Sequence, residues 1–245
     1  PAFGRLFPCP NPECPKGNAL KQEAIQRRYK SVGLLEDYRD LTFATFDSLP
    51  LEEMTGKLLA RYAMGLFVDY HAGGRWFSEV DIYEAMGVPA PPGASRHLKN
   101  SIVLCGEPGT GKTGLVAATI NQELKLKRPA LYIRMMDVIK DIQDSYGREE
   151  HPTTKDVISG FQNAALLAID EMTIHNDRAT DRLEKAEDII RYRMGRQLPT
   201  IITTNHTQEA FVKAWGIRTA DILDAKAHWI ELTGLPLRKY NRTIT

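Results

Sequence analysis

Apolar and polar positions along the chain follow two rhythms. From about residue 100 onward, short unbroken apolar runs alternate with longer stretches whose apolar residues recur every three or four positions. The first kind is expected of strands buried on both faces, the second of helices buried along one face. Residues 101–105, 130–134, 166–169 and 199–203 are predicted strands, and 114–125, 136–145, 156–164 and 181–196 predicted helices. Val138, Ile139 and Ile142 share one side of the second helix, and Leu183, Ala186, Ile190 and Met194 one side of the last. This alternation predicts an α/β fold, a parallel sheet with helices on both sides. Upstream, Leu58, Leu59, Tyr62, Ala63, Leu66 and Phe67 mark one buried face of a helix that Gly73-Gly74 ends. Residues 75–87 predict a further short helix, and the proline-rich 88–93 a stiff exposed connection. Phe43 and Phe46 are expected to pack in the segment that leads into the first helix.

Residues 19–32 predict a charged helix carrying Lys21, Arg27, Arg28 and Lys30, either a DNA- or partner-binding arm or a solvated face. The organisation expected is a small N-terminal extension, 1–40, followed by one domain, 41–245, a size at which a full core can be buried. The polar loop 147–153 fits a DNA contact and an idle surface loop equally well. A net charge of +1 advertises no global field for nucleic acid, so any such binding must come from local patches. There is no apolar run long enough for a membrane span and no export leader. Cys9, Cys14 and Cys105 make no disulfide framework, which suggests a reducing, cytoplasmic setting. The chain begins at Pro1, so further residues upstream are expected. Cys9 and Cys14, with four residues between them, supply half of a zinc site, and Zn²⁺ is a candidate ligand of the intact protein.

One stretch carries more chemistry than the rest. Gly106-Glu107-Pro108-Gly109-Thr110-Gly111-Lys112-Thr113 fits G-x-x-x-x-G-K-[ST] and lies between a predicted strand and a predicted helix. Glycines let backbone N–H groups curl around phosphates, and the helix N-terminus adds partial positive charge. Lys112 is expected at the β- and γ-phosphates of ATP, with Gly114 just behind, and the Thr113 hydroxyl on Mg²⁺. The lead-in 51–100 is expected to close over one side of the nucleotide. The run 166–169 ends in Asp170 and Glu171. Asp170 is expected to hold Mg²⁺ and Glu171 to orient or deprotonate the attacking water. Asn205, after the run 199–203, is the candidate γ-phosphate sensor. The acidic pair favours hydrolysis over transfer to a small acceptor, and the chain has no N/T-K-x-D tetrapeptide for guanine.

Together, Gly-Glu-Pro-Gly-Thr-Gly-Lys-Thr, Leu-Leu-Ala-Ile-Asp-Glu, Ile-Ile-Arg-Tyr-Arg and Pro-Thr-Ile-Ile-Thr-Thr-Asn resemble the AAA+ ATPases of the DnaC/IstB group, over roughly residues 40–238. The stretch from Gly216 to Arg238 is similar to that family's last helix, strand and terminal basic residue. The resemblance implies a three-layer αβα domain with five parallel strands, and ATP bound between subunits of a homo-oligomer. It also implies an arginine supplied by the neighbouring subunit. Arg218 is the first candidate, then Arg191, Arg193 and Arg196, a row that alternatively touches DNA or solvent. Arg238 is a candidate second sensor or a C-terminal cap. Where this chain has Gly114 the family often has His, a change expected to spare nucleotide binding. The Phe7-Pro-Cys opening resembles family variants with an N-terminal cysteine cluster. Two functions follow from the resemblance: loading a replicative DnaB-type helicase onto single-stranded DNA, or regulating transposition on duplex DNA with a transposase as partner.

Overall fold

The computed structural model describes residues 32–34, 36–47, 55–146, 153–173 and 180–233. After a 3₁₀ turn at Glu36–Tyr38 come α1 (Phe43–Asp47), α2 (Thr55–His71) and α3 (Glu79–Ala85). The alternating part then runs β1 (Ser101–Cys105), α4 (Lys112–Lys125), β2 (Leu131–Arg134), α5 (Met135–Asp144), α6 (Thr154–Asn163), β3 (Leu167–Asp170), α7 (Thr180–Gly195) and β4 (Thr200–Thr203). It closes with α8 (Gln208–Trp215), α9 (Ile217–Lys226) and β5 (Ala227–Glu231). The five strands form one parallel sheet in the order β2-β3-β4-β1-β5.

Strand alternation sorts the core into two layers. Ile102, Leu104, Ala168, Ile201 and Ile230 point to the side covered by α2 and α4, whereas Val103, Leu167, Ile169 and Ile202 point to the side covered by α5 to α9. Each strand is buried from both sides, so its sequence is a continuous apolar run. Among the described residues the predicted elements are present, with ends shifted by a residue or two, except that the helix expected over 75–87 spans only Glu79–Ala85; the helix expected over 19–32 lies, but for Val32, outside the described residues. Two further features depart from expectation. Residues 43–47 are a short helix in their own right, and the helix α8 went unpredicted. Thr207 caps α8 by accepting from the Ala210 N–H, and Phe211 and Trp215 are its buried positions.

The segment ahead of α2 is tied to α4 by two contacts. The Asn121 side-chain amide of α4 donates to the carbonyls of Tyr38 and Leu41, both at 2.8 Å. Phe46 of α1 lies against Gly114, where an added Cβ would stand 3.1 Å from the ring's Cζ. Val32 and Leu34 are buried in the same layer as Tyr132 and α4. Further on, Phe77 and Lys99 form an isolated antiparallel bridge. Lys99 Nζ then donates to the carbonyls of Asp224 and Ala227 at the end of α9. Among the described residues, no helix is long and apolar enough to cross a membrane.

Candidate active site

Parallel pairing aligns the C-terminal ends of the strands. Leu104 pairs with Thr203, Ile169 with Ile202 and Arg134 with Asp170, so the segments after β1, β3 and β4 leave the sheet at one edge. In open α/β sheets this is the edge where ligands bind.

The loop from Gly106 to Gly111 leaves β1 through three glycines with positive φ: Gly106 at 133°, Gly109 at 86° and Gly111 at 104°. Side chains rarely adopt that backbone. At Gly106 an added Cβ would also lie 2.4 Å from the Leu232 carbonyl oxygen. The Thr110 hydroxyl donates to the Glu107 carbonyl at 2.9 Å and closes the turn, while Glu107 and Pro108 face solvent. Lys112, only 7% exposed, folds back and donates to the carbonyls of Gly106 at 2.6 Å and Glu107 at 2.8 Å. Burial lowers its pKa, against the opposing pull of Asp170, Cys105 and Glu171. Its ammonium thus sits inside the loop, held by main-chain acceptors that an incoming phosphate would replace.

The next residue joins the loop to β3. The Thr113 hydroxyl donates to Asp170 Oδ1 at 3.3 Å. Asp170 is 1% exposed, and two more hydroxyls donate to it: Thr203 to Oδ1, and Tyr132 to Oδ2 at 2.7 Å. A buried carboxylate is tolerated only when its lone pairs are satisfied, and here three neutral donors satisfy them. Burial and the charge of Asp170 push the Tyr132 phenol well above its ordinary range, so it stays a donor.

Glu171 is exposed and takes φ 55°, a left-handed conformation that costs a non-glycine residue about 1–3 kcal/mol. Neighbouring bonds hold it: its N–H donates to Thr203 Oγ1 at 2.9 Å, and the Met172 N–H to the Thr203 carbonyl at 2.7 Å. The Thr204 hydroxyl donates to the Met172 carbonyl. The chain therefore turns sharply at Glu171, outside the strand and next to the buried aspartate. Asn205 is exposed two residues beyond β4, and its N–H donates to Thr173 Oγ1 at 3.4 Å.

Lys112, Thr113, Asp170 and Glu171 are thus brought together, with Asn205 beside them. Arg218 is exposed near the start of α9, next to Ile217, which is 64% exposed. Among the described residues, no hydrogen bond links it to the others. Arg193 corrects an expectation: it is 0% exposed and touches neither solvent nor DNA. Its guanidinium donates to the carbonyls of Phe161, Gln162, Ala164 and Pro199 and to Thr200 Oγ1. Burial lowers its pKa to about 10. It therefore cannot serve a neighbouring subunit. Arg191 instead pairs with Asp188 at 2.8 Å, and Arg196 stacks on Tyr192. Cys9, Cys14 and Arg238 lie outside the described residues. Sequence reasoning missed Tyr132 and Thr203, the first hidden in the predicted strand 130–134 and the second at the end of the predicted strand 199–203.

These donors fit a magnesium nucleotide. A curled glycine backbone, an ammonium and a helix N-terminus suit phosphates. One carboxylate with an adjacent hydroxyl suits Mg²⁺, which keeps several waters and takes few protein ligands. No group of three or more His, Cys, Asp or Glu fit to hold a metal occurs among the described residues.

Comparison with known proteins agrees with this geometry. The model of the ATPase family associated with various cellular activities (AAA) matches residues 102–215. The replicative helicase loader DnaC of Escherichia coli (strain K12) is 28% identical over 121 residues, 49% of this chain and 49% of that protein. The chain thus spans about half the length of the relatives it matches. Two solved structures share the fold. A crystal structure of the DnaC helicase loader has a TM-score of 0.61 at 17% identity and covers 81% of this chain and 100% of its own. A crystal structure of DnaI has a TM-score of 0.59 at 18% identity and covers 82% and 95%.

Proposed function

We propose that this chain, a P-loop ATPase of the AAA type with a DnaC-like core, brings a replicative DnaB-type helicase to single-stranded DNA and releases it on ATP hydrolysis. The observation that carries the ATPase half is the convergence of the segments after β1, β3 and β4 on the one buried carboxylate of Asp170. The likeness to DnaC supports the loader half.

In this reading the N–H groups of 106–113 and the Lys112 ammonium bind the phosphates of ATP. The Lys112 ammonium, which donates to the carbonyls of Gly106 and Glu107, would turn to the phosphate oxygens. Thr113 and Asp170 hold Mg²⁺, which when bound screens the charge of the β- and γ-phosphate oxygens. The Glu171 carboxylate, turned out of the sheet, orients the attacking water and takes its proton, and Asn205 bonds the γ-phosphate or that water. Arg218 completes the site of the next subunit in a homo-oligomer, its exposure leaving it open to a neighbour. Residues 1–40 form the N-terminal extension, whose arm at 19–32 meets the helicase, 41–245 form the ATPase domain, and the protein works in the cytoplasm.

Immobilised replicative helicase should retain the full chain in the presence of ATP and release it after hydrolysis. A Lys112→Ala variant should lose the nucleotide dependence. Capture by a transposase instead of the helicase would overturn the loader reading in favour of transposition control.

A further inference from the structure

Tyr132 occupies a position where the sequence asks only for a strand residue, and its hydroxyl is the unexplained part. Tyr132 and Ala168 are register partners on β2 and β3, and Asp170 is two residues further along the same face. A long side chain can cross that diagonal, and the phenol does so, donating to Asp170 Oδ2 at 2.7 Å. The other two donors share Oδ1. Thr203 also accepts the Glu171 N–H, which directs its own hydrogen at the aspartate. Thr113 is the group that must give up its bond to Asp170 when its oxygen turns to a cation. Among the described residues, Tyr132 is therefore the one side-chain donor that fixes Oδ2, so the carboxylate keeps Oδ1 towards Thr113.

We propose that Tyr132 is a positioning residue for the divalent cation: it locks the Asp170 carboxylate in the orientation in which Oδ1 and the Thr113 hydroxyl can share Mg²⁺. The inference rests on the ATPase reading above. Outer hydrogen-bond partners of metal-binding carboxylates are worth about 10–100-fold in metal affinity or activity. Tyr132 is buried in the core layer that also holds Val32 and Leu34, and a phenylalanine keeps its ring without the hydroxyl.

The test is a titration of the full chain with a fluorescent ATP analogue, in EDTA and across a Mg²⁺ series, comparing wild type with Tyr132→Phe. In EDTA the two should bind alike. The Mg²⁺ midpoint should rise about 10–100-fold in the variant, and excess Mg²⁺ should restore hydrolysis. An unchanged midpoint, or an equal loss of binding in EDTA, would overturn the proposal. If Tyr132→Phe does not fold, Tyr132→Met undergoes the same titration and is read the same way. A wild type whose nucleotide binding ignores Mg²⁺ would sink the ATPase reading itself. A wild type that responds beside an indifferent variant would sink only the role of Tyr132.

Discussion

Two of the charges buried among the described residues, Asp170 and Arg193, lie at opposite ends of one sheet and are treated differently. At the edge where strands finish, Asp170 is surrounded by three hydroxyls. At the edge where β4 starts, Arg193 is surrounded by four carbonyls and one hydroxyl. Both charges are hydrogen-bonded by neutral partners, one of the ways in which a buried charge is tolerated. The partners differ in kind. A hydroxyl rotates and can turn from donor to ligand, so in the proposed magnesium site the Asp170 cluster would open for a cation by side-chain rotation. A carbonyl is fixed by its peptide plane. Three of the Arg193 acceptors, Phe161, Gln162 and Ala164, lie at the end of α6, where carbonyls lack helical partners and a cation is favoured. One end is built to exchange partners and the other to keep them.

That contrast makes predictions about rates at one end and stability at the other. The largest effect is expected from Arg218→Ala in an assembled oligomer. An arginine acting across a subunit boundary contributes about 10³–10⁵ in rate. Mixing mutant with wild-type subunits should therefore poison hydrolysis out of proportion to the fraction added, and a linear decline would remove the trans role. Glu171→Gln should slow hydrolysis by about 10²–10⁴ through loss of the general base while nucleotide affinity holds. Its turnover and its equilibrium binding, measured on one preparation, check this, and turnover at the wild-type rate would reject the assignment. Arg193→Met should do the reverse. Stranding buried carbonyls is expected to cost about 3 kcal/mol or more, read as a lower urea midpoint. Nucleotide affinity per folded molecule should not change, and a fully stable variant would show that the cluster is dispensable.

The sheet and the phosphate loop were legible because each strand is an uninterrupted apolar run and the loop has fixed spacing. Asp170 and Glu171 were legible as charges ending such a run. Tyr132 was not, since a tyrosine inside a strand has an adequate explanation in β-propensity and packing. Thr203 is legible as a strand end, but its bonds to both Asp170 and Glu171 depend on which strand lies beside β3. Arg193 misled for a related reason. In a basic row on a charged helix, nothing local distinguishes the one guanidinium that turns inward. α8 escaped because eight residues with two buried aromatics give little periodicity.

The contact between Phe46 and Gly114 has a consequence for anyone exchanging parts among these proteins. With the ring's Cζ 3.1 Å from where a side chain would start, a larger residue at position 114 requires Phe46 to give way by a few tenths of an ångström. An exchanged phosphate loop that brings a side chain to position 114 therefore has to be read together with the residue at position 46.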